Sequence, residues 1–73
     1  MMQFERLPER TRFRLTRIAA RLTLFDVGQA ADVAPPRLSE FERGEGTLQP
    51  EVLARVRAVL EAATFEQEGP HAP

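Results

Sequence analysis

Apolar residues recur along this chain at helical spacing in four stretches, separated by polar or proline-bearing breaks. Two of them lie in the segment LTLFDVGQAADVAPPRLSEFERG, from Leu22 to Gly44. Leu22, Val27, Ala30 and Ala31 repeat with a helical period, and Leu38 and Phe41, three apart, share one face. Asp32-Val33-Ala34-Pro35-Pro36 interrupts that period. Asp32 is a residue type that tolerates the left-handed backbone of a tight turn, Val33 supplies an apolar plug, and Gly28 leaves room for a second helix to cross closely. The pattern predicts helices over about 24–31 and 36–43, with Gly44 as the cap of the second.

The flanks carry one helix each. The first is expected from near Pro8, a residue tolerated in a first turn, through Arg21. Its apolar positions Phe13, Ile18 and Leu22 are expected to face the core, helped by Leu15 and Ala19. Arg10, Arg14, Arg17 and Arg21, at spacings of four, three and four, form a stripe along it. Pro50 opens the last helix, with Val52, Leu53, Val56, Val59 and Leu60 on its apolar face. The expected product is an all-α four-helix domain over residues 8–63. Residues 1–7 precede it, either as an arm or as a cap that packs Phe4 and Leu7. Residues 64–73, TFEQEGPHAP, follow as a disordered tail with little to bury beyond Phe65.

Composition narrows the setting. At 73 residues the chain is one small domain near the size limit for a core without staples, and it has no Cys to supply one. That absence fits a reducing cytoplasm. No apolar run approaches the roughly 20 residues of a membrane span, and the start MMQFERLPER lacks a secretory apolar region, so a soluble cytoplasmic protein is expected. The net charge of −1 hides an asymmetry. Residues 1–21 carry a net +4, whereas residues 22–46 carry −3 and residues 47–73 carry −2. All ten basic residues are Arg, which a GC-rich genome explains as well as function does. An enzyme is not expected: the one His, His71, lies in the tail without a partner, Ser39 sits mid-helix without a base, and no glycine-rich phosphate loop follows a strand. Nor is a metal or other cofactor expected.

The segment resembles the lambda-repressor/Cro-type (XRE-like) helix-turn-helix family, whose pattern runs roughly Leu-Thr-Gln-x-x-Leu-Ala-x-x-x-Gly-Val-Ser-x-x-x-Ile-Ser-x-x-Glu-x-Gly. Without gaps the matching residues are Leu22, Thr23, Val27 for Leu, Gly28 for Ala, Val33, Leu38 for Ile, Ser39, Glu42 and Gly44. The flanking helices agree in character, so the resemblance covers about 11–60. It implies a lambda-repressor-like fold and a repressor-like transcriptional regulator of bacterial or phage type, binding duplex DNA as a homodimer on a two-fold operator. The recognition helix, about 36–43, would lie in the major groove, with its partner's helix about 34 Å away. Arg17 and Glu42 align with a family pair that ties the first helix to the end of the third, in two parallel hydrogen bonds.

By the same resemblance the start of the third helix meets bases, and here it offers Ala34, Pro35, Pro36, Arg37 and Glu40. Arg37 is the obvious donor to a base or a phosphate. Glu40 suits a cytosine amino group but is repelled by phosphates. Pro35 and Pro36 suit thymine methyl groups, or are simply helix-starting residues. Arg43, and Arg14 and Arg10 from the stripe, are candidate phosphate contacts; the stripe reads equally as a solvated face. Thr23 and the start of the second helix are a further phosphate candidate. Leu24 stands where the family has a phosphate-contacting Gln, which exposes an apolar side chain. The alternative is a protein-interaction module, such as the partner-binding half of a toxin–antitoxin pair. It would present Leu24, Phe25 and Pro35-Pro36 beside acidic Asp26, Glu40 and Glu45.

Overall fold

In the computed structural model the chain is described over residues 4–68, with side chains to residue 64, and it is helical throughout its ordered elements. A short 3-10 turn, Phe4–Arg6, precedes α1 (Glu9–Ala19), α2 (Leu24–Ala31), α3 (Pro35–Glu42) and α4 (Pro50–Glu68), and no strand occurs among the described residues. α2 packs on α3, α1 packs on α3, and α4 closes the bundle against both α1 and α2. The shared core is Phe13, Val27, Ala31, Leu38, Phe41, Leu48, Val56 and Leu60. The rings of Phe13 and Phe41 meet edge to face with centroids 5.7 Å apart, joining α1 to α3 at its centre. No helix among the described residues is long and apolar enough to cross a membrane.

Three of the four helices end on a residue in the left-handed region, and each ending fixes the direction of the next segment. After α1, Arg21 has φ 61°, with the Arg21 N–H on the Ile18 carbonyl and the Leu22 N–H on the Arg17 carbonyl, both at 3.0 Å. This double bond pattern halts the helix two residues before the expected Arg21. After α2, Asp32 takes φ 60° and ψ 52°, and the Val33 N–H reaches back to the Gly28 carbonyl at 2.8 Å. After α3, Gly44 has φ 76°, with N–H bonds from Gly44 to Phe41 and from Glu45 to Glu40.

The apolar face of α1 differs from the expected one. Ile18 is 51% exposed and Leu15 39%, and Ala19 is exposed, while Phe13 and Ala20 are buried and Arg17 is half-buried. At about 100° per residue, Ile18 lies some 140° around the helix from Phe13, so α1 cannot bury both. The Phe13–Phe41 contact decides which face turns inward. Leu22 still packs against the core, from beyond the helix. Of the arginine stripe, Arg10, Arg14 and Arg17 stay on one side of α1 with Arg17 half-buried, while Arg21 lies beyond the end of the helix.

α4 carries its expected face, with Val56 and Leu60 buried and Val52, Leu53 and Val59 packed beside them. It continues to Glu68, past the expected end at residue 63, because Ala62 through Glu68 contains no breaker and Gly69 is the first. Residues 64–68 are therefore helix, and the rest of the expected tail, residues 69–73 with His71, lies outside the described residues, as do residues 1–3. Phe4 lines a cavity with Phe13 and Leu60 while remaining 38% exposed, residues 5 and 6 are exposed, and Leu7 is half-buried.

Gly28 is packed against the turn that follows its helix: a Cβ built there would run into the Val33 carbonyl oxygen and come within 3.3 Å of the Pro35 ring. Because the obstacle is backbone, Gly28→Ala should destabilise the domain by about 1–3 kcal/mol, read from urea unfolding followed by circular dichroism. A second expectation concerns acid. Glu9 accepts from Arg57 Nε at 2.6 Å, tying α1 to α4 across the sequence. That bond holds the Glu9 carboxyl below the usual carboxylate range, against the opposing effect of partial burial. A lowered folded pKa means that the contribution is fully present above the unfolded value of about 4.3 and is lost as pH falls through the folded one. Glu9→Gln should therefore be less stable than the parent at pH 7, by under about 1 kcal/mol for a pair this exposed, with the gap closing as pH falls below the unfolded value of about 4.3.

Candidate nucleic-acid interface

The exposed side of α3 is set by what its other side buries. Leu38 is fully buried and Phe41 nearly so, which leaves Pro36, Arg37, Glu40 and, at the cap, Arg43 facing solvent on one side of the helix. Arg37 makes no side-chain hydrogen bond or ion pair among the described residues, so its guanidinium is uncommitted. Glu40 is exposed but lies over the following loop, its Cβ 3.5 Å and its Oε1 3.7 Å from where a Gly46 side chain would begin. Arg43 donates from Nε to Glu45 Oε1 at 3.0 Å and from Nη1 to Ser39 Oγ, and its Nη2 stands 2.9 Å from the same Glu45 oxygen. The bond to Glu45, followed by the charge of that carboxylate, raises the Arg43 pKa. Arg43 thus starts from a partner on its own loop, through an exposed pair that an external anion can replace at little cost.

The two prolines divide in role. Pro35 is half-buried with its ring against Gly28, which makes it a packing residue of the turn rather than a contact on the outer face. Pro36 is exposed. Neither has an N–H, and the next amide, that of Arg37, is bonded to the Ala34 carbonyl at 2.9 Å. At the start of α3 the prolines thus give no donor and the Arg37 amide is already bonded, so anion recognition there falls mainly to side chains.

The start of α2 is partly occupied. The Asp26 N–H donates to Thr23 Oγ1 and the Thr23 N–H donates to Asp26 Oδ2, both at 2.9 Å, a reciprocal capping box. Thr23 backbone and hydroxyl donation, in that order, hold the Asp26 carboxyl below its usual range. A carboxylate at this helix end competes with a phosphate, so Thr23 acts as a cap whose own hydroxyl and amide are taken. The Thr-x-x-Asp spacing was the signal for this box. Leu24 is half-buried against the core, because the first turn of α2 tilts it inward, and Phe25 is the exposed apolar residue there at 61%.

Behind the outer face, α3 is held by a charge cluster from α1. Arg17 Nε donates to Glu42 Oε2 at 2.6 Å and Arg17 Nη2 to Glu42 Oε1 at 3.1 Å. The third nitrogen, Nη1, donates to the Leu22 carbonyl at 2.8 Å. Both side chains are largely shielded, at 13% and 7% exposure. Arg14 stands 3.9 Å from Glu42 Oε1 with most of its side chain in solvent. Arg10 lies across the end of α3, its Nε 2.9 Å from where a Gly44 side chain would begin. The carbonyl end of a helix favours cations, which accounts for this gathering. Two exposed cations from α1, Arg10 and Arg14, thus flank the helix that carries Arg37.

Among the described residues no three His, Cys, Asp or Glu side chains are grouped to hold a metal ion. No family model, no curated protein and no solved structure matches the chain.

Removing one partner of the Arg17–Glu42 pair leaves the other charge shielded and unpaired, so Arg17→Ala and Glu42→Ala should each cost about 3–5 kcal/mol. Replacing both, as Arg17→Met with Glu42→Leu, should recover much of that loss. A double-mutant cycle by urea unfolding measures the coupling; additive losses would mean that the pair does not join α1 to α3.

Proposed function

We propose that this chain is a sequence-specific duplex-DNA-binding domain of lambda-repressor/Cro type, acting as a small cytoplasmic transcriptional regulator of repressor kind and binding its site as a homodimer. α3 enters the major groove with Arg37 as the principal base donor, in the bidentate manner by which Arg reads guanine. The observation that carries this reading is the uncommitted Arg37 on the outer face of a helix that is fixed from behind by Arg17 and Glu42. Pro36 lies beside it for apolar contact with thymine methyl groups. Arg10 and Arg14, with Arg43 once it exchanges Glu45 for a phosphate, supply backbone contacts that set register without reading sequence. Glu40, lying over the loop, acts as a filter against misplaced phosphates.

A second reading is favoured by Phe25. An exposed ring at the start of α2, with Asp26 next to it and Glu45 across the surface, suits a protein groove better than a polyanion. Under that reading α2 and α3 remain a scaffold, and the partner is a protein.

Fluorescence-anisotropy titration against the chain's own upstream DNA and a random duplex pool, at two salt concentrations, separates the two. Under the DNA reading, binding is tighter on the chain's own upstream DNA, Arg37→Ala loses roughly 1–3 kcal/mol and relaxes specificity, and Arg14→Ala lowers the salt slope by about one. No salt-sensitive binding by the parent chain, together with partner capture that depends on Phe25, would sink the DNA reading.

A further inference from the structure

Between the N-terminal turn, α1 and α4 lies a cavity of about 460 Å³, walled by Phe4, Phe13, Phe41, Leu53, Val56 and Leu60. Ligand sites for small organic molecules run roughly 300–1,000 Å³ and combine apolar walls with a few convergent polar groups. Here the polar groups are Glu9, Arg12, Thr16, Arg57, Glu61 and Thr64. Glu9 and Arg57 are engaged with each other at 2.6 Å. The Arg12 guanidinium has no hydrogen-bond or ion-pair partner among the described residues, and its Nε is sealed from solvent with no acceptor in reach. Glu9 feels the Arg12 charge without being bonded to it.

Buried donors in folded proteins are almost always paired, by protein or by ordered water. No water-sized group reaches this Nε from the cavity as it stands, so an acceptor oxygen meets it only once the Arg12 side chain turns. An unpaired guanidinium beside an aromatic and aliphatic cavity is complementary to a molecule with an apolar body and a carboxylate head, since Arg binds carboxylates in directed, charge-assisted bonds.

We propose that this cavity is a binding site for a small amphipathic carboxylic acid. The apolar body packs among Phe13, Phe41, Leu53, Val56 and Leu60, and the carboxylate takes the guanidinium of Arg12. A small rotation of the Arg12 side chain turns its free donors toward the ligand. Phe41 is part of α3, so the ligand rests against the inner side of the helix that bears Arg37. The site itself does not depend on whether α3 meets DNA or a protein.

The test is calorimetric titration of the full chain with decanoate, using decanol and decyltrimethylammonium as head-group controls, with methyl NMR spectra of the same samples. Decanoate is expected to bind saturably and to shift the methyl signals of Leu53, Val56 and Leu60. Both controls, and decanoate on Arg12→Met, should bind at least about tenfold more weakly. Leu53→Trp, which places an indole in the cavity from a half-buried wall position, should abolish decanoate binding while keeping the helical circular dichroism. If that variant does not fold, the shift map of the parent chain decides the location. No saturable shift, shifts confined to other surfaces, equal affinity for all three probes, or unchanged affinity in Arg12→Met would each overturn the proposal.

Discussion

The bond between Arg17 and Glu42 is the constraint on which the geometry of the rest depends. α3 has only eight residues, opens without a side-chain cap, and is too short to hold its shape alone. Leu38 and Phe41 bury its inner side, but those apolar contacts do not fix its angle, because hydrophobic burial is not directional. Two short charge-assisted bonds in a shielded setting do. Arg17 also grips the Leu22 carbonyl with its remaining nitrogen, so one side chain governs where α1 stops, how the chain enters α2 and how α3 is held.

Electrostatics across the molecule follow from which arginines are used internally. Arg17 is committed to Glu42, Arg57 to Glu9, and Arg55 donates to the Ala31 carbonyl at the end of α2. Several carboxylates are committed likewise: Asp26 caps α2 and Glu45 holds Arg43. Around α3, the cations that remain for an external partner are Arg37 in front with Arg10 and Arg14 at its far end. The net charge of −1 is a poor guide to this surface, since the arginines are concentrated in residues 1–21, at a net +4, while most of the acids are spread over the rest of the chain.

The turn between α2 and α3 shows how little room the design has. Asp32 accepts a left-handed backbone, Val33 bonds back to Gly28, and Pro35 presses its ring on the same glycine. Each residue is positioned by its neighbour, and the absence of a side chain at Gly28 lets the turn approach at all. At 73 residues there is no second core layer to absorb an error here.

Local chemistry in the chain by itself determined where helices form, that the turn needs Asp32 left-handed, and which side of α4 is apolar. Those features depend on neighbours within a few residues, through periodicity, proline placement and backbone preference. The tertiary structure alone decided the rotation of α1, turning Phe13 toward Phe41 and leaving Ile18 in solvent, since a helix with apolar residues on two sides has no local reason to choose. It likewise decided that Pro35 packs while Pro36 is free, that Leu24 tucks in while Phe25 stays out, and that Arg12 is left without an acceptor. Contacts between residues tens of positions apart set these outcomes, and only the folded chain brings such residues together.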